Sequence, residues 1–219
     1  IDSLLAVKTL VYDSGKYTLA EFLNGVRSNW EGYEQMQAEA KAAPGWGDGS
    51  EVSCSLANRF NNDLFEICSK KEGTYGGKVH IGHLTYTEIR WWGEKTLATP
   101  DGRKNGECFA QGLTPSRLKH IPYVTDVINS FSELDPSTLA ANSVVNIILP
   151  RNISLDRCEA FLRAVAGTAV EALQLNCTSK EELLDASMVL CQTHNSISGR
   201  LSASDGKQTL ADLKTAIKA

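Results

Sequence analysis

Three groups of side chains in this sequence have types and spacings that could carry chemistry. Two histidines, His80 and His83, lie three residues apart, and a tight basic turn follows further along the chain. A Walker loop, a Gly-x-Gly-x-x-Gly motif and a Gly-x-Ser-x-Gly elbow are absent from the sequence. The groups therefore have to be tested for metal binding, thiol chemistry and anion binding. The third group is six dispersed cysteines: Cys54, Cys68, Cys108, Cys158, Cys177 and Cys191.

The histidines and cysteines do not predict a metal site. Residues 78–86 alternate in character and are rich in β-forming residues, which predicts a strand. Side chains three apart on a strand point to opposite faces, so His80 and His83 would diverge. The cysteines form no Cys-x-x-Cys pair, and their wide spacing predicts reduced thiols of a cytosolic protein. We therefore expect no bound metal or other bound cofactor.

The basic turn runs from Thr99 to Glu107 as Thr-Pro-Asp-Gly-Arg-Lys-Asn-Gly-Glu. Pro100 fixes φ for a turn, and Gly102 supplies a positive φ without steric cost. Arg103 and Lys104 add two positive charges. Taken alone, the pattern predicts a solvated surface turn. The Trp91–Trp92 pair that precedes it is expected in the core rather than as a stacking platform.

Composition limits the class of protein. With 219 residues, 42% hydrophobic and 22% charged, the chain has the content of a globular protein of one large or two small domains. A net charge of −4 argues against nucleic acid as a partner. The sequence shows no apolar run approaching the ~18 residues that cross a bilayer, and no basic-then-apolar leader. We expect a cytoplasmic protein that binds neither nucleic acid nor membrane.

The first third of the chain should be mainly helical. Thr18 and Glu21 form a capping-box pattern that predicts a helix to about Ala43, ended by the loop 44–49. Ser50 is expected to cap a helix that continues to Lys71. A short helix is expected at residues 2–12. The apolar side of the Ser50-capped helix should contain Val52, Leu56, Phe60, Leu64 and Ile67.

The later sequence alternates between strand and helix patterns. Tyr123–Ile128 is the best short strand or buried segment of its region, and Ser143–Leu149 predicts a strand buried on both faces. Ser154 should cap the next helix. This order predicts an α/β fold. The remaining expected elements are a strand at 169–176, a helix that a Thr178/Glu181 capping box begins, a loop at 191–206 and a last helix with Leu210, Leu213 and Ile217.

The turn and its neighbours resemble a known family. Residues 99–107 are similar to the Thr-Pro-Asp-Gly-Arg-x-x-Gly-Glu signature of glycyl radical enzymes, the superfamily of pyruvate formate-lyase, glycerol and diol dehydratases and choline lyase. The ordered resemblance covers about residues 1–190. Its other segments are Trp30–Tyr33, Pro44–Asp48, Thr114–Ser116, Thr125 with Asn129–Ser130, Asn142–Pro150, Ala172–Asn176 and Leu183–Ala186.

The resemblance implies the C-terminal part of a ten-stranded α/β barrel with flanking helices. Within residues 1–219 it implies a mainly helical region at 1–72, the strand and helix half of the barrel at 73–190, and a radical loop with the last helix at 191–219. The implied reaction is that of a radical lyase, dehydratase or formate acetyltransferase on a small organic substrate. A separate radical S-adenosylmethionine enzyme would install the glycyl radical.

Gly199 is the radical position that the resemblance implies, and Gly206 is a weaker candidate. The family's loop reads Arg-Val-x-Gly-Tyr/Phe-Ser-Ala, whereas residues 196–203 read Ser-Ile-Ser-Gly-Arg-Leu-Ser-Ala. The arginine that precedes the glycine in the family is missing here, and one extra residue stands before Ser202. None of the six cysteines stands in the family's Gly-Cys finger loop, so the catalytic cysteine would lie in an N-terminal part or a longer partner chain.

Three interpretations remain open from the sequence. The chain is a fragment or C-terminal subunit of a glycyl radical enzyme, or a non-catalytic spare-part module that completes the barrel of a longer chain. The third is an unrelated small-molecule binding protein. For Arg103, the sequence leaves a structural ion pair and a substrate contact equally open.

Overall fold

A computed structural model describes residues 1–84, 89–150 and 152–176. The chain divides into two compact units, Ile1–Ile147 with Ser154–Gln174 and Ile148–Ile153 with Leu175–Ala219. Almost all described elements belong to the first unit. None of the helices in these residues combines the length and hydropathy needed to cross a bilayer.

The described part of the chain is α/β, as the sequence predicted. Seven α-helices, a π-helical extension, one 3-10 turn and three strands follow each other along it. Their bounds are α1 Asp2–Val7 with the π-helix Lys8–Asp13, α2 Leu19–Arg27, α3 Glu34–Ala42, α4 Glu51–Ser69, β1 Gly82–His83, α5 Ile89–Glu94, α6 Val124–Ser132, the 3-10 turn Pro136–Thr138, β2 Asn142–Ile148, α7 Leu155–Ala166 and β3 Ala172–Asn176.

Three helix starts are confirmed, because their caps are local in sequence. Thr18 accepts the backbone N–H of Glu21, whose carboxylate accepts the N–H of Thr18, so both halves of the capping box form. The Ser50 hydroxyl accepts from the Ser53 N–H, and Ser154 accepts from the N–H of Arg157. The capping box predicted at Thr178 lies outside the described residues.

The single helix predicted from Thr18 to about Ala43 is wrong, because the chain breaks between α2 and α3. Asn29 and Trp30 take positive φ values of 57° and 67°, and Gly32 takes 77°. Such a conformation is costly for a tryptophan. It directs the Trp30 side chain into full burial against Phe22, with the rings edge-to-face at 5.7 Å.

Two further predictions of secondary structure are wrong. Residues 124–132 form helix α6 rather than a strand, because Val127 and Phe131, one helical turn apart, both enter the core. Of the strand predicted over residues 78–86, only Gly82 and His83 pair with β2, and residues 85–86 lie outside the described part. Strands β1 and β2 approach each other closely at Gly82. A Cβ at this position would lie 2.5 Å from the backbone nitrogen of Asn142, so the pairing requires glycine.

The sheet has the order β1-β2-β3, and β1 runs parallel to β2. Strand β2 is the predicted one, although only Ser143 and Val145 on one face are fully buried and Ile148 is exposed. Helix α7 connects β2 to β3, as predicted, and buries Phe161 and Val165, whereas Leu155 in its first turn is exposed.

The buried apolar side chains form two hydrophobic clusters. The first packs the central strand against α6 and the loop that contains Trp46, and the second joins α1, α2 and α3. The buried members of the second cluster are Ala6, Leu10, Phe22, Trp30, Met36, Ala40, Ala43 and Ala98.

Candidate functional site: the signature turn and its cavity

The segment Thr99–Glu107, called the signature turn below, is a tight turn closed by its own backbone. The Gly102 N–H donates to the Thr99 carbonyl at 3.1 Å, and the Thr99 N–H donates to the Arg103 carbonyl at 3.1 Å. Gly102 has φ 92°, a conformation that the sequence assigned to it.

The prediction of a solvated turn is wrong at its centre. Arg103 is only 2% exposed and Gly102 is buried. The Arg103 guanidinium donates to carbonyls on both sides of the turn: Glu107 at 2.7 Å, Lys104 at 3.2 Å, Thr96 at 3.4 Å and Leu97. Its Nε donates to the Thr99 hydroxyl at 3.2 Å. The planar guanidinium thus links the backbone before the turn to the backbone after it.

The surroundings of Arg103 favour a structural role over substrate contact. The guanidinium carbon lies 4.3 Å from the centre of the Phe109 ring, a cation–π arrangement. Burial lowers the pKa of Arg103, while the charges of Asp101 and Glu107 oppose that shift. Arginine stays protonated over the physiological range, so the clamp is permanent.

The connection between α2 and α3 and helix α3 itself contact the signature turn. The Trp30 indole Nε1–H donates to the Arg103 carbonyl at 3.2 Å, and the Gln37 amide donates to the Gly102 carbonyl at 2.7 Å. A Cβ on Gly102 would lie 3.1 Å from the Gln37 carbonyl oxygen, so only glycine fits between turn and helix. Sequence patterns missed Trp30 and Gln37, and the nearest signal was Gly32 just beyond the tryptophan.

A half-buried lysine, Lys119, binds the carbonyl end of α3. The Lys119 ammonium donates to the carbonyls of Ala40 and Ala43 at 3.0 and 2.9 Å, which caps the carbonyl end of that helix. Burial lowers the pKa of Lys119, and the carboxylates of Asp2 and Asp101 oppose the shift. This contact could not be predicted from local sequence patterns, because it joins residues that are 76 and 79 positions apart.

A cavity of about 270 Å³ lies beside the signature turn. Its polar wall includes Asp2, Asp101 and His83, and its apolar wall includes Trp46 and Phe60. Burial raises the pKa of Asp2, whose carboxylate accepts the Trp46 backbone N–H at 2.7 Å. Arg103 and Cys108 also border the cavity, so the signature turn forms part of its lining.

His83 is held by a neighbouring amide. Its Nε2 lies 3.0 Å from the Asn61 Oδ1, and burial lowers the pKa of His83. His80 is exposed. Over residues 1–84, 89–150 and 152–176, the structure shows no cluster of three or more His, Cys, Asp or Glu side chains that could hold a metal ion.

The remaining candidates are placed as follows. Trp91 and Trp92 are 46% and 55% exposed on α5, so the expectation of a core pair is wrong. They contact each other edge-to-face, and the Lys95 ammonium lies 3.6 Å from the centre of the Trp91 ring. Cys54, Cys68, Cys108 and Cys158 are free thiols. Gly199 and Gly206 lie outside the described residues, as do Cys177 and Cys191.

Comparison with known proteins identifies the class to which this fold and turn belong. Residues 1–93 match the family described as pyruvate formate lyase-like. The glycerol-bound B12-independent glycerol dehydratase from Clostridium butyricum superimposes with a TM-score of 0.79 and 27% identity over 88% of this chain and 25% of its own. The fold is therefore that of the pyruvate formate lyase-like proteins.

Two further relatives extend the match. A glycyl radical enzyme from Archaeoglobus fulgidus superimposes with a TM-score of 0.76 and 25% identity, over 86% of this chain and 24% of its own. The isethionate sulfite-lyase of Nitratidesulfovibrio vulgaris is 25% identical over 85% of this chain and 23% of its own. The chain is therefore similar to glycyl radical enzymes over most of its length, and it spans about a quarter of the length of these relatives.

Proposed function

We propose that this chain forms the C-terminal part of a glycyl radical enzyme, as a fragment or as a separate subunit. The observation that carries the proposal is the superposition on the glycerol dehydratase, which covers 88% of this chain but 25% of the longer one. On this proposal the three described strands are part of the second half of a ten-stranded α/β barrel. The preceding part, with the finger-loop cysteine, comes from the same chain or from a longer partner.

Gly199 is the proposed radical carrier. A glycine Cα radical lies between an amide donor and a carbonyl acceptor, and no side chain twists it out of the plane that delocalises it. A radical S-adenosylmethionine enzyme would install this radical, which then takes a hydrogen atom from the cysteine thiol of the preceding part. The thiyl radical abstracts hydrogen from a small organic substrate.

The relatives indicate only a broad class of substrate. One relative is a glycerol dehydratase and another an isethionate sulfite-lyase, so the proposed reaction is radical elimination or bond cleavage on a small polar molecule. On this proposal the signature turn has a structural role and does not contact the substrate, because the Arg103 guanidinium donates its hydrogen bonds to backbone carbonyls. Closure of the barrel would exclude water and oxygen from the radicals, which suits an anaerobic cytoplasm.

An electron paramagnetic resonance experiment tests the proposal. The chain is incubated anaerobically with an activating enzyme and S-adenosylmethionine, with and without a polypeptide that bears the finger-loop cysteine. We expect a glycyl doublet that is absent from Gly199→Ala and retained in Gly206→Ala. A chain that assembles with the longer polypeptide but gives no signal under any condition would instead be a non-catalytic module that completes the barrel.

A further inference from the structure

Helix α4 buries small and polar side chains, while its most hydrophobic stripe is only partly covered by the described part of the chain. The buried residues of this helix are Ser53, Cys54, Ala57 and Asn61, which are small or polar. The apolar residues expected inward are displaced from them by roughly a quarter of a turn, at 100° per residue. That apolar stripe, called the α4 stripe below, consists of Val52, Leu56, Phe60, Leu64 and Ile67.

The exposure of the α4 stripe is largest at its two ends. Val52 is 44% exposed and Ile67 is 58% exposed, while the three residues between them are half-buried. A 19-residue helix with five apolar side chains in line normally buries that line. A line of five apolar side chains that is exposed at both ends and only half-buried between them is more typical of a surface covered by a partner than of one left in water.

The location of the stripe says what kind of partner covers it. Phe60, at its centre, lines the cavity that Ile1 and His83 also line. A polypeptide joined to Ile1 would therefore begin at the cavity that the centre of the stripe borders. The relatives are about four times longer than this chain, since they match it over 23–25% of their own length. Both observations favour the preceding part of a glycyl radical enzyme as the partner.

We propose that the α4 stripe is the docking surface for the polypeptide that supplies the preceding part of the enzyme, and that this polypeptide presents an apolar helix or sheet face to it. The inference rests on the proposed function for the identity of the partner. It goes further in naming the surface and its chemistry. Charged residues flank the stripe and pair within the helix, as Arg59 does with Asp63 and Lys70 with Glu66.

Site-specific photo-crosslinking tests the proposal. A photoreactive phenylalanine analogue is placed at Ile67 in the protein expressed in its native host, and the crosslinked peptide is identified by mass spectrometry. The matched control carries the same analogue at Asn62, which is exposed on the polar side of α4. We expect a crosslink from position 67, but not from position 62. Its target should be a pyruvate formate lyase-like segment that either precedes Ile1 in the same chain or aligns with the part of the longer relatives that precedes the region matched here.

A charge substitution gives the second measurement. Ile67→Lys should weaken assembly with that polypeptide about tenfold or more, because the interface would bury an unpaired charge, whereas Asn62→Lys should leave assembly unchanged. A crosslink to a second copy of α4, to an unrelated protein or to nothing would overturn the proposal. So would unchanged assembly of the Ile67→Lys chain. A glycyl signal that appears without the crosslink would reject the docking surface alone, and a crosslink without a signal would reject the radical function alone.

Discussion

Replacing Arg103 by lysine tests the structural role of the signature turn while keeping its charge. The guanidinium makes five hydrogen bonds in opposite directions, four of them to carbonyls. A lysine has one compact donor group with three hydrogens, so it cannot reach both sides of the ring. At least two of the five bonds should be lost in Arg103→Lys.

The expected loss of stability follows from those bonds. Each net hydrogen bond contributes about 1 kcal/mol, and the arrangement over the Phe109 ring adds about 0.5–1 kcal/mol. The free energy of unfolding should therefore fall by roughly 2–3 kcal/mol. With a denaturant slope of about 2 kcal/mol/M, the urea midpoint would move down by about 1 M or slightly more.

Urea unfolding followed by tryptophan fluorescence measures this change. Trp30 is a suitable reporter, because its indole donates to the Arg103 carbonyl. The control is Arg59→Lys, at an exposed ion pair with Asp63, where the expected change is within about 0.5 kcal/mol. If Arg103→Lys unfolded at the same urea midpoint and with the same slope as the wild type, the hydrogen bonds of Arg103 would not stabilise the signature turn, contrary to this prediction.

Two further predictions concern the same region. Gly102→Ala should destabilise the chain by roughly 1–3 kcal/mol more than Gly106→Ala, as measured by urea midpoints, because both glycines have positive φ but only Gly102 lies against a helix. Equal losses of stability in the two variants would show that the contact of Gly102 with helix α3 does not contribute. Burial lowers the pKa of His83, so the unfolded chain binds its proton more readily and the free energy of unfolding should fall as the pH drops below about 6.5. His83→Gln should flatten that part of the curve of stability against pH, and an unchanged curve would assign the dependence to other groups.

The local features of this fold were predictable and the long-range ones were not. The caps at Thr18, Ser50 and Ser154 are confirmed because each joins residues three apart. The helix break at Trp30 was not predictable, because the helical spacing of apolar residues continues through it. The hydrogen bond that the Trp30 indole makes there reaches the Arg103 carbonyl, 73 residues away.

The candidate site shows the same division. The turn conformation at Gly102 could be predicted from residue types, because glycine is the residue that takes positive φ without strain. The burial of Arg103 could not, because it depends on Trp30, helix α3 and Phe109 packing around the turn. Helix α4 shows a different limit: its amphipathic pattern was real, but the side chains that the core buries are Ser53, Cys54, Ala57 and Asn61 rather than the apolar stripe.

The electron paramagnetic resonance spectrum of the assembled, activated protein made with glycine deuterated at Cα shows whether the radical is on a glycine. A radical on Gly199 couples to its one remaining Cα hydrogen, so the ordinary protein should give a doublet and the deuterated protein a collapsed singlet. Gly199→Ala should give neither. A doublet that persists in Gly199→Ala would contradict the assignment of Gly199. No signal from a fully assembled wild-type protein would contradict the claim that this chain carries the radical.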